Sequence, residues 1–226
     1  GVANNVKIMA VRTVPNGDEY DKDVALAIHY AVDNGAKVIN GSFGKSYSPH
    51  SAMVRDAIKY ASDKDVVFVH AAGNDSNNVD VEPNFPDDNV NGNEISNTYI
   101  RVGALEPKYG SNIVANFSNY GKQNVDVFAP GAKIYSTTPG NEYQTKGGTS
   151  MAAPAVAGVA ALIRSYYPNL TAAQVKQILL NSGLAIKTKV VVGGDTNTVK
   201  PFADLSKSGR IVNAYNALIM AAEMSK

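Results

Sequence analysis

Cysteine is absent from the 226 residues, and histidine occurs only three times, at His29, His50 and His70. The first absence excludes disulfides, thiolate-bound zinc and a cysteine nucleophile. The three histidines are too scattered in sequence to suggest a metal cluster. The 21 basic and 20 acidic side chains nearly cancel, so charge favours neither nucleic acid nor a membrane surface as a partner. The longest apolar stretch, residues 151–163, is too short to span a bilayer.

The chain has instead the alternating strand and helix pattern of an α/β domain. Residues 6–14, 36–40 and 66–71 are rich in β-branched and apolar side chains and predict three strands. Residues 21–34 and 53–61 carry apolar side chains at helical spacing and predict the helices between those strands. Such strand–helix–strand crossovers predict a mainly parallel sheet with helices on both faces.

The second half of the chain predicts a buried helix and a surface excursion. Residues 151–163 are almost all Ala, Val, Gly, Leu and Ile, and a helix that is apolar on every side has to be buried. Thr171 and Gln174 have the spacing of a capping box, which predicts that another helix begins there. Polar residues and glycines in 184–209 predict a hairpin or a long surface loop. No linker-like composition divides the chain, so we expect one domain over residues 1–226.

Ser150 stands directly before the buried helix and after Gly147, Gly148 and Thr149. The free N–H groups and the positive dipole end at the start of a helix favour an anion. A serine hydroxyl in that place could attack a carbonyl carbon while the local field stabilises the resulting oxyanion. It could equally be an ordinary N-cap, and the residues alone leave both interpretations open.

Asn74 is the second candidate for chemistry. It follows the strand predicted at 66–71, at the carboxyl edge where ligands of open α/β sheets bind. Its side-chain amide could donate to an oxyanion formed beside Ser150. Taken alone, an asparagine after a glycine is more often a turn residue.

Several strings resemble the motifs of one protease family. Gly-Thr-Ser-Met-Ala-Ala-Pro at 148–154 resembles the serine motif of the subtilisin-like serine proteases, or subtilases. Val-His-Ala-Ala-Gly-Asn at 69–74 resembles the strand that leads to their oxyanion-hole asparagine, and residues 1–14, 36–44 and 208–214 resemble further segments in the same order. The resemblance implies the α/β, subtilisin-like three-layer fold, with a mainly parallel sheet and helices on both faces.

The resemblance also implies the chemistry. It indicates a serine endopeptidase that hydrolyses peptide bonds through an acyl-enzyme on Ser150, with Asn74 and the Ser150 backbone N–H forming the oxyanion hole and no organic cofactor. The substrate is a polypeptide. The residues implied for binding its backbone, and for lining the pocket of the side chain before the scissile bond, are Ser42, Phe43, Gly44, Ala71, Ala72 and Gly73.

Two motifs of the family have no counterpart in this sequence. Subtilases carry their aspartate in D-(S/T)-G and their histidine in H-G-T-H-V-A-G, and neither string occurs. The chain thus resembles the C-terminal two-thirds of the catalytic domain, with the N-terminal part absent. We expect it alone to be a very poor protease and to need a partner over its open sheet edge, either the missing N-terminal segment or a second copy. His70 is a poor substitute base, because it lies within an apolar strand.

Other functions and ligands remain to be distinguished. A non-catalytic subtilase-like fragment, or pseudoprotease, would bind extended peptides without cutting them. An α/β-hydrolase esterase is disfavoured, because Ala152 stands where its elbow needs glycine and no histidine follows Ser150. The acidic and amide side chains of residues 87–94 could bind a structural calcium ion, although an exposed polar loop is the simpler interpretation. By resemblance we also expect a secreted or cell-surface protein.

Overall fold

A computed structural model describes all 226 residues. The five α-helices are α1 (Asp21–Asp33), α2 (Ser51–Asp63), α3 (Thr149–Tyr166), α4 (Ala172–Ser182) and α5 (Ala214–Met224). The strands of the main sheet and of a first small ribbon are β1 (Val38–Gly41), β2 (Val67–Ala71), β3 (Asn89–Val90), β4 (Asn93–Glu94), β5 (Tyr99–Leu105) and β6 (Val127–Pro130). The remaining strands are β7 (Ile134–Thr138), β8 (Glu142–Lys146), β9 (Leu184–Ala185), β10 (Lys189–Val192), β11 (Asp195–Pro201) and β12 (Arg210–Ile211). A short 3₁₀ helix spans Phe202–Asp204.

The central sheet has six strands in the order β1-β2-β5-β6-β12-β9. The first five are parallel to their neighbours, and only β9 pairs antiparallel, with β12. The sequence therefore correctly predicted a mainly parallel sheet, and the α/β subtilisin-like fold is confirmed. The three remaining ribbons, β3–β4, β7–β8 and β10–β11, are antiparallel hairpins outside it.

Two apolar cores cover the two faces of strands β2 and β5. Successive side chains of a strand point to opposite faces, and both faces are buried here. Val67 and Val69 pack with α3 and α4, whereas Phe68 packs with α1 and α2. Burial on both faces explains why β2 and β5 are mostly apolar without alternation, with His70 and Arg101 as the polar members. The domain therefore has three layers: helices on one face, the sheet, and helices on the other face.

Two local predictions in the second half of the chain are confirmed. Thr171 caps α4 through a complete capping box with Gln174. The predicted surface excursion contains the β10–β11 hairpin, whose turn places Gly193 and Gly194 at positive φ. The apolar side chains of this hairpin enter a third core with Phe128 of β6, so the excursion is anchored to the sheet.

The strand predicted at residues 6–14 is wrong. These residues form no strand, and Val6, Ile8 and Met9 are exposed, Ile8 by 89%. A β-prone sequence becomes a strand only where a neighbour completes its ladder of hydrogen bonds. Strand β1 pairs with β2 on one side and does not pair with this segment on the other.

Candidate active site

The candidate residues converge at the carboxyl ends of β1 and β2. These two strands are parallel and in register, with Gly41 opposite His70, so the residues that follow them lie at the same edge of the sheet. The segment Ser42–Gly44 leaves β1 there, and Gly73 and Asn74 follow β2. The buried helix α3 begins at this edge, with Gly148 as its N-cap.

Asn74 is held by the first turn of α3. Its Oδ1 accepts hydrogen bonds from the backbone N–H of Thr149 at 2.8 Å and from the Thr149 hydroxyl at 3.0 Å. The same hydroxyl accepts a bond from the N–H of Gly73 at 3.1 Å. Because its oxygen is engaged in this way, the asparagine has only its Nδ2 group left to donate to a third partner.

The Nδ2 group of Asn74 and the backbone nitrogen of Ser150 lie around Gly148. A methyl group built on Gly148 would be 3.6 Å from Ser150 N and 3.7 Å from Nδ2 of Asn74. The N–H of the second residue of a helix has no intrahelical acceptor. Both donors thus lie near Gly148, with Oδ1 of Asn74 also at 3.7 Å from the same point. The φ of Gly148, +152°, favours glycine at this position.

Ser42 contacts the backbone of Ser150 directly. Pro154 has no N–H, so the normal helical bond to the carbonyl of Ser150, four residues earlier, cannot form. The Ser42 hydroxyl donates to that carbonyl at 2.8 Å, and Nδ2 of Asn40 donates to the Ser42 oxygen at 2.9 Å. These hydrogen bonds connect the end of β1 to Ser150, the candidate nucleophile.

Asn119 orders the loop after Asn74. Its Oδ1 accepts from the N–H groups of Asp75 and Asn77, and its Nδ2 donates to the carbonyl of Ala72 at 2.9 Å. Sequence reasoning missed both Asn119 and the support that Thr149 gives to Asn74. The serine motif contained Thr149 but gave no sign of its partner, and Asn119 lies in a polar loop of ordinary composition.

His70 is not placed to act as a base. It is fully buried, Nε2 donates to the carbonyl of Phe43 at 2.7 Å, and Nδ1 accepts from the hydroxyl of Tyr99 at 2.9 Å. Burial and the nearby Arg101 guanidinium lower the pKa of His70 to about 3. The imidazole is therefore a neutral spacer between the end of β1 and the sheet.

This burial predicts a pH dependence of stability. The folded pKa of His70 lies below its unfolded value, so its contribution is complete above about pH 6.5 and is lost as pH falls towards 3. Between pH 7.5 and pH 5 we expect this group to lower the free energy of unfolding by about 2 kcal/mol. Urea titrations of the wild type and His70→Gln at both values measure the difference. Equal pH slopes for the two proteins would contradict the assignment.

Two of the three acidic residues of the loop 87–94 form ion pairs with basic side chains, whereas Asp88 forms none. Asp87 pairs with Arg55 at 2.8 Å, and Glu94 forms a close ion pair with Lys207. Burial raises the pKa of Asp88 to about 6, although the nearby Lys176 opposes the shift. No group of three acidic or histidine side chains is arranged to hold a metal ion. The calcium site that the loop composition suggested stays a prediction.

Comparison of the sequence with models of protein families identifies the family of the chain. The model of the subtilase family matches residues 1–208 of the chain. The chain belongs to the subtilase family. The sequence motifs thus identified the family correctly, and its curated relatives include serine proteinases.

Two relatives show how much of a subtilase the chain covers. A thermophilic serine proteinase of Bacillus sp. (strain AK1) is 45% identical over 219 residues, which are 96% of this chain and 47% of that protein. Thermitase of Thermoactinomyces vulgaris is 40% identical over 166 residues, which are 73% of this chain and 54% of that protein. The chain therefore spans about half the length of these relatives.

Solved subtilase structures have the same fold. A protease from Pseudoalteromonas arctica is 31% identical and matches with a TM-score of 0.74, over 98% of this chain and 65% of that one. A cold adapted subtilisin-like serine proteinase is 30% identical, with a TM-score of 0.71 over 92% of this chain and 68% of that one.

Proposed function

We propose that the chain carries the nucleophile and the oxyanion hole of a serine endopeptidase. Ser150 attacks the carbonyl carbon of a peptide bond and forms an acyl-enzyme, which water then hydrolyses. The Ser150 N–H and Nδ2 of Asn74 stabilise the oxyanion. The supporting observation is that Thr149 occupies Oδ1 of Asn74 at the start of α3, which leaves the amide group of Asn74 to face the reacting oxygen.

The base and its orienting aspartate come from outside these 226 residues. His70 uses both ring nitrogens within the core. The ring of His29 packs at a tilt against that of Tyr60, between α1 and α2. His50 is the N-cap of α2, a helix that does not contact α3 closely. We therefore propose that the isolated chain hydrolyses peptides very slowly, and that another polypeptide segment, either an N-terminal one or that of a second copy, covers the apolar side chains of residues 6–9.

The substrate is a polypeptide that binds as an added strand along Ser42, Phe43 and Gly44, with Gly73 beside the side chain before the scissile bond. Ala71 and Ala72, which are 3% and 0% exposed, lie behind Gly73 in the wall of the pocket. No helix combines the length and apolarity needed to cross a lipid bilayer. We propose a secreted or cell-surface location, where a protease does not endanger the proteins of its own cell.

Reaction with a fluorophosphonate tests the nucleophile. We expect slow labelling of the isolated chain at Ser150. Labelling of Ser165 should be slower still, because its hydroxyl donates a hydrogen bond within its own helix. Ser150→Ala should remove the label completely, as peptide mapping by mass spectrometry would show. A second function, peptide binding without cleavage, is favoured by the lack of an available imidazole. It would be supported by a wild type that binds peptides and remains unlabelled even after the segment that supplies the histidine and the aspartate is added.

A further inference from the structure

His70 is a fully buried imidazole that the proposed mechanism does not use. Its Nε2 lies 2.7 Å from the carbonyl oxygen of Phe43, and a carbonyl can only accept, so Nε2 carries the ring proton. Burial holds the pKa of His70 at about 3, so the ring is neutral at pH 7 and Nδ1 accepts from the Tyr99 hydroxyl at 2.9 Å. The imidazole therefore donates in one direction only, towards Phe43.

Tyr99 fixes the imidazole from the side away from Phe43. Its hydroxyl has a single proton and lies within hydrogen-bond distance of two acceptors, Nδ1 of His70 at 2.9 Å and the carbonyl of Pro86 at 2.8 Å. The Pro86 carbonyl also accepts from the guanidinium of Arg101 at 2.9 Å. The hydroxyl proton can therefore go to His70 without leaving the Pro86 carbonyl unpaired.

Phe43 and Lys45 direct their backbone groups to the same side of the segment that follows β1. The carbonyl of Phe43 accepts from His70, and Lys45 exchanges two backbone hydrogen bonds with Phe85, at 2.8 and 3.0 Å. In an extended chain the backbone groups of successive residues point to opposite edges. Those of Ser42 and Gly44 therefore point away from His70.

The outer edge of this segment is unpaired. Neither the N–H and C=O groups of Gly44 nor the C=O group of Ser42 has a hydrogen-bond partner within the chain. Such groups can pair with an extended peptide that adds as a further strand. A rotation of the segment about its own axis would turn these groups away from the peptide, and the same rotation would break the bond between Phe43 and His70.

We propose that His70 is a positioning residue for substrate binding. By donating to the carbonyl of Phe43 from behind, it holds Ser42 and Gly44 in the orientation in which their backbone groups pair with a polypeptide. Without this donor the segment is free to rotate, and ordering it again when the peptide binds lowers the affinity. The inference rests on the proposed function, because it takes this segment as the strand that binds the substrate.

Two substitutions of equal length separate the donor from the volume of the ring. His70→Gln places an amide N–H close to the position of Nε2, whereas His70→Met has a similar length and no donor. Fluorescein-labelled Ala-Ala-Ala-Ala-Leu amide is titrated with each protein, and binding is followed by anisotropy. We expect His70→Gln to bind within about twofold of the wild type and His70→Met to bind on the order of fivefold more weakly.

A matched control makes the same change in another histidine. His29→Met alters a ring on α1 that packs against Tyr60, and should bind the peptide like the wild type. Equal affinity of His70→Met and the wild type would overturn the proposal. An equal loss in His70→Gln and His70→Met would also overturn it, since the donor would then not be the cause, and so would a wild type that does not bind the peptide.

Two measurements on the wild type do not depend on these variants. Nitrogen-15 NMR of the His70 ring at pH 7 should show a neutral imidazole with its proton on Nε2, and a proton on Nδ1 instead would overturn the proposal. The same peptide with methylated backbone nitrogens cannot donate to the carbonyls of Ser42 and Gly44, and should bind at least about tenfold more weakly. Equal binding of both peptides would contradict strand pairing. If circular dichroism shows that His70→Met does not fold, these two measurements decide.

Fluorophosphonate labelling distinguishes the two hypotheses. Labelling of Ser150, together with equal peptide affinity of the wild type, His70→Gln and His70→Met, would leave the protease proposal standing and refute the role of His70. The opposite result is binding that depends on the donor without labelling, even after the segment that supplies the base and its aspartate is added. It would support the role of His70 in a peptide-binding site and refute the catalytic proposal.

Discussion

Asn74→Leu is expected to slow the reaction of Ser150 with an activated ester by about 10²–10³-fold. Leucine has a similar volume but no N–H to donate to the oxyanion. The magnitude is the one known for removing a single oxyanion donor from a subtilisin, a member of the same family. The formation of the acyl-enzyme, measured in single-turnover experiments with a p-nitrophenyl ester, reports the effect independently of any slow release step.

Two further variants make this prediction specific. Asn77→Leu changes an asparagine in the same loop, whose backbone N–H rather than its side chain binds Asn119, and should react at nearly the wild-type rate. Thr149→Val removes the hydroxyl that donates to Oδ1 of Asn74 but keeps the backbone bond. We expect an intermediate loss of about fivefold, because a net hydrogen bond contributes about 1 kcal/mol. Asn74→Leu with a wild-type rate would refute the oxyanion-hole assignment.

The sequence predicted features that depend on local spacing. The helices α1, α2 and α4 follow from apolar periodicity and capping residues, and β2 from a continuous apolar run. The seven-residue string around Ser150 indicated the family because its residues are adjacent in the chain. The placement of Asn74 beside α3 followed from the edge of a parallel sheet, which is a property of the fold class.

The features that the sequence did not predict depend on contacts between distant segments. Residues 6–14 have a strand-like composition, but their structure depends on a neighbour that composition does not reveal. The hydroxyl of Ser42 meets the carbonyl of Ser150 across 108 positions of sequence. Asn119 lies in a polar loop, and its hydrogen bonds to Asp75 and Ala72 depend on the tertiary structure. The local sequence pattern thus indicated the nucleophile, whereas the residues around the pocket could be identified only from the tertiary structure.

Asp126→Asn is expected to lower the free energy of unfolding by roughly 3 kcal/mol, because it leaves a buried ammonium without its main partner. Asp126 lies directly before β6 and is 4% exposed. One carboxylate oxygen accepts from the N–H of Arg101 at 2.7 Å, and the other lies 3.3 Å from Nζ of Lys176. Lys176 is 6% exposed, and its other acidic neighbours are Glu94, at 3.8 Å, and the buried Asp88, whose pKa is raised by burial and lowered by the ammonium.

An exposed ion pair and a double variant show whether burial is the cause. Asp63→Asn breaks a pair with Lys59 at 3.1 Å in which both side chains are more than half exposed, and should cost less than about 1 kcal/mol. Adding Lys176→Met to Asp126→Asn removes the stranded charge and should restore much of the lost stability. Urea unfolding at pH 7 measures all four proteins. A loss for Asp126→Asn no larger than that for Asp63→Asn would mean that water reaches Lys176 and that its charge is not buried in solution.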